Sequence, residues 1–158
     1  MASKEALRRA LLAAQERFLD VVRGLGPDDL ALPTENPDWT VHDVLAHLAS
    51  AERGLLTTIE RVRRGEPVPP GYSADEWNAR QVSKRRTLPL SDLLAEQAAG
   101  RVATVRALED LPEAELRLVG QHISGEVLSV EALFARIASH QDEHLAQILR
   151  ACRSRIGP

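Results

Sequence analysis

The chain has 158 residues, of which 44% are apolar and only 3% aromatic, and its formal net charge is −3. This length suits a single domain, residues 1–158, and a composition rich in Ala, Leu and Val favours packed helices over a β-sandwich. The mildly acidic balance gives no reason to expect a nucleic-acid partner, and no stretch approaches the ~18–20 consecutive apolar residues that a membrane span needs.

Residues 4–23 place apolar side chains at helical spacing, and Gly24 and Gly26 end this first predicted helix. Charges scattered along it leave no uninterrupted apolar region of the kind a signal peptide has, so we expect a cytoplasmic protein. Residues 27–39 contain three prolines and are therefore predicted to form an ordered connector rather than a helix.

A capping box at Thr40 and Asp43 predicts the start of a second helix, which runs to about Arg64. The proline cluster that follows ends it. A second capping box, from Ser73 to Glu76, predicts a short extra helix near residues 74–84.

A third long helix is predicted over roughly residues 90–108 and a fourth from about Ser129. The intervening segment, residues 111–128, is predicted to be irregular, with one possible helical turn in its PEAEL sequence. Four long amphipathic helices without strand-like alternation predict an all-α, four-helix bundle. The long connections at 24–39 and 65–89 allow crossovers, so the bundle need not alternate up and down.

Two histidines on the last predicted helix, His140 and His144, are four residues apart and therefore share a helix face. They continue the apolar stripe of Leu133 and Ile137 and are followed by Ile148. A buried imidazole needs partners for its ring nitrogens, and two adjacent ones cannot both be charged cheaply. A shared cation would satisfy both, although a structural or hydrogen-bonding role for the pair remains open.

His47, on the flank of the second helix's apolar stripe, is the candidate for a third ligand. It reaches the depth of His140 and His144 if the second and fourth helices run antiparallel. Three neutral imidazoles suit Zn²⁺, Ni²⁺ or another divalent first-row ion. Three protein ligands leave a coordination position open, which is typical of catalytic rather than structural sites.

Three other residues, His42, His122 and Glu143, are further candidates for site residues. His42 lies in the first turn of its helix and is expected to be exposed, with a role beside a metal ligand as the alternative. For His122, in the irregular segment, a surface position and a position in a pocket both remain open. Glu143 makes the HQDEH sequence resemble an inverted zincin motif, but only 14 residues follow His144, too few for the distant carboxylate ligand of that family. Glu143 is kept as a weak candidate for a general base.

The segment Trp39-Thr40-Val41-His42-Asp43-Val44-Leu45-Ala46-His47, together with His140-x-x-x-His144 and Gln147-Ile148, resembles the DinB/YfiT-like superfamily of metalloenzymes. The resemblance spans essentially the whole chain and has the motifs in the right order. It implies a four-helix bundle, homodimerisation, and a metal held by His47, His140 and His144. Leu145 and Ala146 depart from the polar or small pair of many relatives, which suggests a drier or differently shaped pocket.

Thiol-dependent transfer to a small electrophile is the leading function, because the chain offers no securely placed general base for hydrolysis, and the resemblance is to a superfamily that includes mycothiol- and bacillithiol-dependent enzymes. A low-molecular-weight thiol would then be a cosubstrate. The first alternative is a metal-dependent hydrolase of an amide or ester, and the second is a non-enzymatic protein that binds a small molecule or confers resistance to it. Tyr72, Trp77 and His122 are the residues expected to shape a substrate pocket.

Overall fold

Helices account for most of residues 2–154, the part of the chain that the structure, a computed structural model, describes. In chain order the elements are α1 (Lys4–Val22), the single-turn α2 (Pro27–Leu30), α3 (Val41–Arg63), α4 (Ala74–Arg85), α5 (Leu90–Asp110), a 3₁₀ turn (Glu113–Arg117), the strands β1 (Val119–Gln121) and β2 (Val127–Ser129), and α6 (Val130–Ser154). The predicted four-helix bundle is confirmed, with α1, α3, α5 and α6 as its long helices and α4 as the short extra one.

The predicted caps explain why the helix boundaries follow the sequence closely. Thr40 and Asp43 form the expected reciprocal box: the Thr40 hydroxyl accepts from the Asp43 N–H, and the Asp43 carboxylate accepts from the Thr40 N–H. Ser73 caps α4 by accepting from the Glu76 N–H at 3.2 Å. Each cap satisfies a backbone donor that has no partner inside the helix.

The long helices do not alternate up and down along the chain. α3 runs antiparallel to α6, because Val41 and Ile148 share one apolar cluster while Val62 and Val130 share another. α3 and α5 run parallel, so the connection between them crosses the length of the bundle and carries α4. The long connection at 65–89 therefore makes the crossover that the sequence allowed.

A polar layer divides the bundle core into two apolar clusters. One cluster is centred on Leu11, Ile59 and Phe134 and the other on Phe18 and Leu45. Between them lie polar side chains of all four long helices: Gln15, Glu52, Gln97, Arg101 and Gln141. His47 on α3 lies at the same level as His140 and His144 on α6, since its ring centroid is 5.1 Å and 4.7 Å from theirs.

Residues 111–128 are more ordered than the sequence predicted. The PEAEL sequence forms the 3₁₀ turn, and β1 and β2 pair antiparallel with Gly120 opposite Leu128. Strands of three residues are too short to show a two-residue periodicity, which is why the hairpin was not predicted. Among residues 2–154, no helix has the length and apolar character to cross a membrane.

Candidate metal centre

Three histidines from two helices meet in the polar layer of the bundle. His47 projects from the second turn of α3, and His140 and His144 project from consecutive turns of α6. The Nε2 atoms of His47 and His140 are 3.2 Å apart. The three ring centroids form a nearly regular triangle with edges of 5.1, 4.7 and 4.6 Å.

One nitrogen from each ring lies within 4.8 Å of the other two, which is the arrangement of a metal-binding cluster. A tetrahedral zinc site with bonds of ~2.0–2.1 Å separates its ligand nitrogens by ~3.3 Å, close to the 3.2 Å between His47 and His140. The antiparallel packing of α3 and α6 supplies the common depth that the sequence left undecided.

The hydrogen bonds of His144 leave one nitrogen available to a metal. Its Nδ1–H donates to the Gln147 Oε1 at 2.8 Å, and the Gln147 amide donates in turn to the Thr34 hydroxyl at 3.3 Å. The Thr34 hydroxyl donates to the Trp39 carbonyl. Because Nδ1 carries the proton, the lone pair of neutral His144 is on Nε2.

Burial keeps the three imidazoles neutral. It lowers the pKa of His47 to about 2, helped by the neighbouring rings of His140 and His144. It lowers the pKa of His140 to about 3 and also lowers the pKa of His144, although the hydrogen bond to Gln147 opposes the latter shift. Neutral imidazoles have a free lone pair, the form that binds metal.

The unsatisfied atoms of this cluster fit a bound cation. The Nε2 atoms of His47 and His140 face each other, and at most one of them can donate to the other. A cation coordinated by the three Nε2 atoms would replace this poorly satisfied contact with three metal–nitrogen bonds. The donor set of three imidazoles suits Zn²⁺ or Ni²⁺.

The cluster opens into a cavity of about 140 Å³ that His47 and His140 help to line. Tyr72, Trp77 and His122, the three residues expected to shape a pocket, also line it. A larger groove of about 410 Å³ lies between α1 and α5, but none of the three histidines of the cluster contributes to it. The smaller cavity is therefore the candidate substrate site.

Two of the other residues weighed from the sequence lie away from this cavity. Glu143 is exposed and is not among the residues that line the cavity, so the structure gives no support to its role as a base. His42 is half-buried rather than exposed, because its Nε2 contacts the Leu88 carbonyl at 2.8 Å. This bond ties the start of α3 to the segment that precedes α5.

Sequence reasoning missed several residues of the site. The Trp39 ring packs against His47, with 5.0 Å between the ring centroids, and Arg136, one turn before His140, lines the cavity. Arg136 could have been found from its spacing, since residues four apart share a helix face. The contact of Trp39 depends on how the connector folds back on α3, which no spacing reveals.

Comparison with known proteins places this arrangement in a family. The sequence matches the family described as mycothiol maleylpyruvate isomerase N-terminal domain over residues 11–151. The chain belongs to this family. It also belongs to the DinB/YfiT-like superfamily, as the sequence motifs indicated.

Two relatives extend the comparison. A protein of Geobacillus thermodenitrificans (strain NG80-2), provisionally named a metal-dependent hydrolase, is 28% identical over 130 residues, which are 81% of this chain and 72% of that protein. The structure of YfiT from Bacillus subtilis, described as a probable metal-dependent hydrolase with an unusual four-helix bundle topology, superposes with a TM-score of 0.81. YfiT is 21% identical, and the match covers 99% of this chain and 91% of that one. This chain therefore has the same fold as YfiT.

Gln147 is expected to control metal affinity by orienting His144. Replacing Gln147 by leucine removes the acceptor of the Nδ1–H, and we expect Zn²⁺ binding to weaken about 10- to 100-fold, as for other partners of metal-ligating histidines. Competition with a chromophoric chelator measures the affinity. Glu143→Gln is the matched control on the exposed face of the same turn. Equal affinities for Gln147→Leu and wild type would contradict this role.

The metal-free protein is expected to lose stability as the pH falls below about 6.5, the ordinary pKa of histidine. Folding lowers the pKa of His47 to about 2 and that of His140 to about 3. Above pH ~6.5 both histidines are neutral in the folded and in the unfolded protein, and the unfolding free energy has its full value. Below that pH the unfolding free energy decreases, because the unfolded chain binds protons that the folded chain does not. Each contributes a slope of up to about 1.4 kcal/mol per pH unit.

Urea unfolding in the presence of a chelator, at about pH 7 and about pH 5, measures this dependence. The double variant His47→Gln/His140→Gln should show a smaller loss of unfolding free energy between the two pH values. The same loss in the variant and in wild type would mean that these histidines are protonated in the folded state.

Proposed function

We propose that the protein is a metal-dependent enzyme that hydrolyses a small amide or ester. The observation that carries the proposal is the convergence of three neutral histidine nitrogens beside a cavity that two of the histidines, His47 and His140, help to line. His47, His140 and His144 would hold the metal. The names of the Geobacillus and Bacillus relatives support hydrolysis.

The chain's own residues would do two things for this reaction. The three histidines, all kept neutral by burial, fix the ion between α3 and α6. Gln147 holds His144 in the tautomer that ligates through Nε2. When bound, a divalent ion with an open coordination position supplies Lewis acidity, polarising a carbonyl and activating a nucleophile.

The cavity sets the size and character of the substrate. Its volume of about 140 Å³ is smaller than the ~300–1,000 Å³ of pockets that enclose drug-sized ligands, which suits a small acyl group rather than a polymer. Tyr72 and Trp77 offer aromatic surface, and His122, Asn78 and Arg136 offer polar groups. The charge of Arg136 is compensated by Glu126 at 2.9 Å.

Thiol-dependent transfer, the function that the sequence favoured, is the second candidate. The description of the matched family, which names mycothiol, supports it. The size of the cavity favours hydrolysis, because a transferase has to place a thiol and an electrophile together at the metal. A homodimer and a thiol cosubstrate stay predictions.

An activity screen separates these candidates. Protein loaded with Zn²⁺ or Ni²⁺ is offered small chromogenic esters and anilides, and small electrophiles, each with and without cysteine, mycothiol and bacillithiol. Hydrolysis without added thiol, reduced at least ~100-fold in His140→Ala but unchanged in His42→Gln, is the result we expect. His42→Gln replaces a histidine of the same helix that lies outside the cluster.

The other outcomes overturn the proposal in different ways. Turnover only with a thiol present would assign a transferase. Saturable binding of these compounds without turnover by either route would assign a binding protein.

A further inference from the structure

His122 is a buried side chain with an unused ring nitrogen at the candidate substrate site. It is 6% exposed, and its Nε2 has no hydrogen-bond partner among residues 2–154. It lines the same cavity as His47 and His140. A buried polar atom without a partner is costly, and in native proteins it commonly has a functional reason.

The hairpin that carries His122 is fixed against α3. The Arg61 guanidinium donates to the Gln121 carbonyl at 2.8 Å. A Cβ added at Gly120 would lie 2.9 Å from a methyl carbon of Val62, so β1 packs on α3 at a distance that only glycine permits. The position of His122 is therefore set by the bundle.

The turn after β1 is closed by its own hydrogen bonds. The His122 N–H donates to the Glu126 carbonyl at 2.7 Å, and the Gly125 N–H donates to the His122 carbonyl at 2.9 Å. The Ser124 N–H inside this turn points at the His122 ring and donates to Nδ1 at 3.1 Å.

These contacts decide which ring nitrogen carries the proton. The direction of the Ser124 N–H is fixed by the turn, so Nδ1 is an acceptor. The Ser124 hydroxyl also lies 2.8 Å from Nδ1 and 2.8 Å from a Glu126 carboxylate oxygen, but it rotates and can donate to either. Neutral His122 consequently has its proton on Nε2, the nitrogen without a protein partner.

His122 is also held in its neutral form. Burial lowers the pKa of its imidazole, and the nearby positive charge of Arg136 lowers it further, while Glu126 acts in the opposite direction. A neutral imidazole with its proton on Nε2 is a hydrogen-bond donor that carries no net charge into the cavity.

We propose that His122 is a substrate-binding residue of this site, whose Nε2–H donates a hydrogen bond to a carbonyl or carboxylate oxygen of a small ligand. The proposal deepens the proposed function and rests on it, because it adds a donor on the cavity wall to the metal that the other histidines would hold. A fixed donor at this place stabilises negative charge that develops on the oxygen of an amide or ester. His122 thus restricts ligands to compounds with such an oxygen.

Two substitutions separate the donor role from a role in the hairpin. His122→Asn keeps an acceptor near the position of Nδ1 for the Ser124 N–H but removes the donor at Nε2. His122→Gln places an amide donor near the position of Nε2. Acetate, the size of a small acyl product, is the probe, and its binding to Co²⁺-loaded protein is followed by visible absorption.

We expect the acetate Kd to rise about tenfold or more in His122→Asn and to be largely restored in His122→Gln. Metal affinity should remain that of wild type in both variants, and the melting temperature should remain that of wild type in His122→Asn, which keeps the acceptor for the Ser124 N–H. An unchanged acetate Kd in His122→Asn would overturn the proposal while leaving the metal site intact.

The proton position can be measured without metal, which separates this proposal from the proposed function. Long-range ¹H–¹⁵N NMR of the metal-free protein at neutral pH should show His122 protonated at Nε2. Protonation at Nδ1 would overturn the donor role. If wild type binds no metal, the proposed function fails, and the NMR result still decides the state of His122.

Discussion

Replacing His140 by alanine is expected to weaken binding of Zn²⁺ or Ni²⁺ by more than about 100-fold, because even the loss of a hydrogen-bond partner of a ligand costs 10- to 100-fold. The His140 ring is 5.1 Å from that of His47 and 4.6 Å from that of His144, and its Nε2 faces the His47 Nε2 at 3.2 Å. Metal analysis after dialysis and isothermal titration both measure the loss.

The same substitution should remove the stabilisation that metal gives to the fold. At a free-metal concentration 100 times the Kd, wild type should gain about 2.7 kcal/mol in unfolding free energy, and His140→Ala should gain almost none. His42→Ala is the control, since His42 is on α3 but bonds to the Leu88 carbonyl. A metal-dependent rise in melting temperature that is the same in His140→Ala and wild type would contradict the assignment of His140.

Replacing Arg101 by methionine is expected to destabilise the protein by about 3–5 kcal/mol, the range for breaking a buried ion pair from one side. Arg101 and Glu52 are almost completely buried, with their side chains 3% and 5% exposed. The Arg101 guanidinium also donates to the Leu11 carbonyl and to the Gln141 amide oxygen. Methionine would leave the Glu52 carboxylate without its cation in the bundle core. Urea unfolding measures the change.

Two variants show whether the loss comes from the orphaned charge. Glu52→Leu/Arg101→Met removes both charges and should recover most of the stability. Arg17→Met breaks the exposed pair with Asp142, whose side chains are 54% and 39% exposed, and should cost less than about 1 kcal/mol. A double variant as unstable as Arg101→Met would mean that packing, and not charge, explains the loss.

The long helices could be predicted from the sequence because their signals are local. Thr40 and Ser73 mark helix starts through side-chain caps, and glycine and proline mark the ends, so the observed boundaries agree within about two residues of those predicted. β1 and β2 could not be predicted in this way. Each has three residues, and their pairing depends on contacts with α3 and α6.

The buried charges could not be predicted because the inner face of α5 is partly polar. Gln97, Arg101 and Thr104 are buried there between Leu93 and Leu108. Periodicity alone assigns such residues to a solvated face. Their burial makes sense only with Glu52 and Gln141 opposite them, and those partners lie on other helices.

The candidate site could be predicted where histidines occupy positions of a helix that are otherwise apolar. His140 and His144 stand in the apolar stripe of α6, and a sequence motif marks His47, so the sequence alone indicates that these three side chains converge. The position of His122 in the cavity could not be predicted, because no periodicity orients a side chain in a turn. Its position in the cavity depends on the hydrogen bond from Ser124 and on the close packing of β1 against α3 at Gly120.

X-ray absorption spectroscopy of the wild-type protein loaded with one equivalent of Zn²⁺ tests the metal centre most directly. We expect three imidazole nitrogens at ~2.0–2.1 Å, completed by a light atom that does not come from the protein. The imidazole signal should fall in His47→Ala. Fewer than three imidazoles, or sulfur from Cys152 in the coordination sphere, would contradict a site built from His47, His140 and His144.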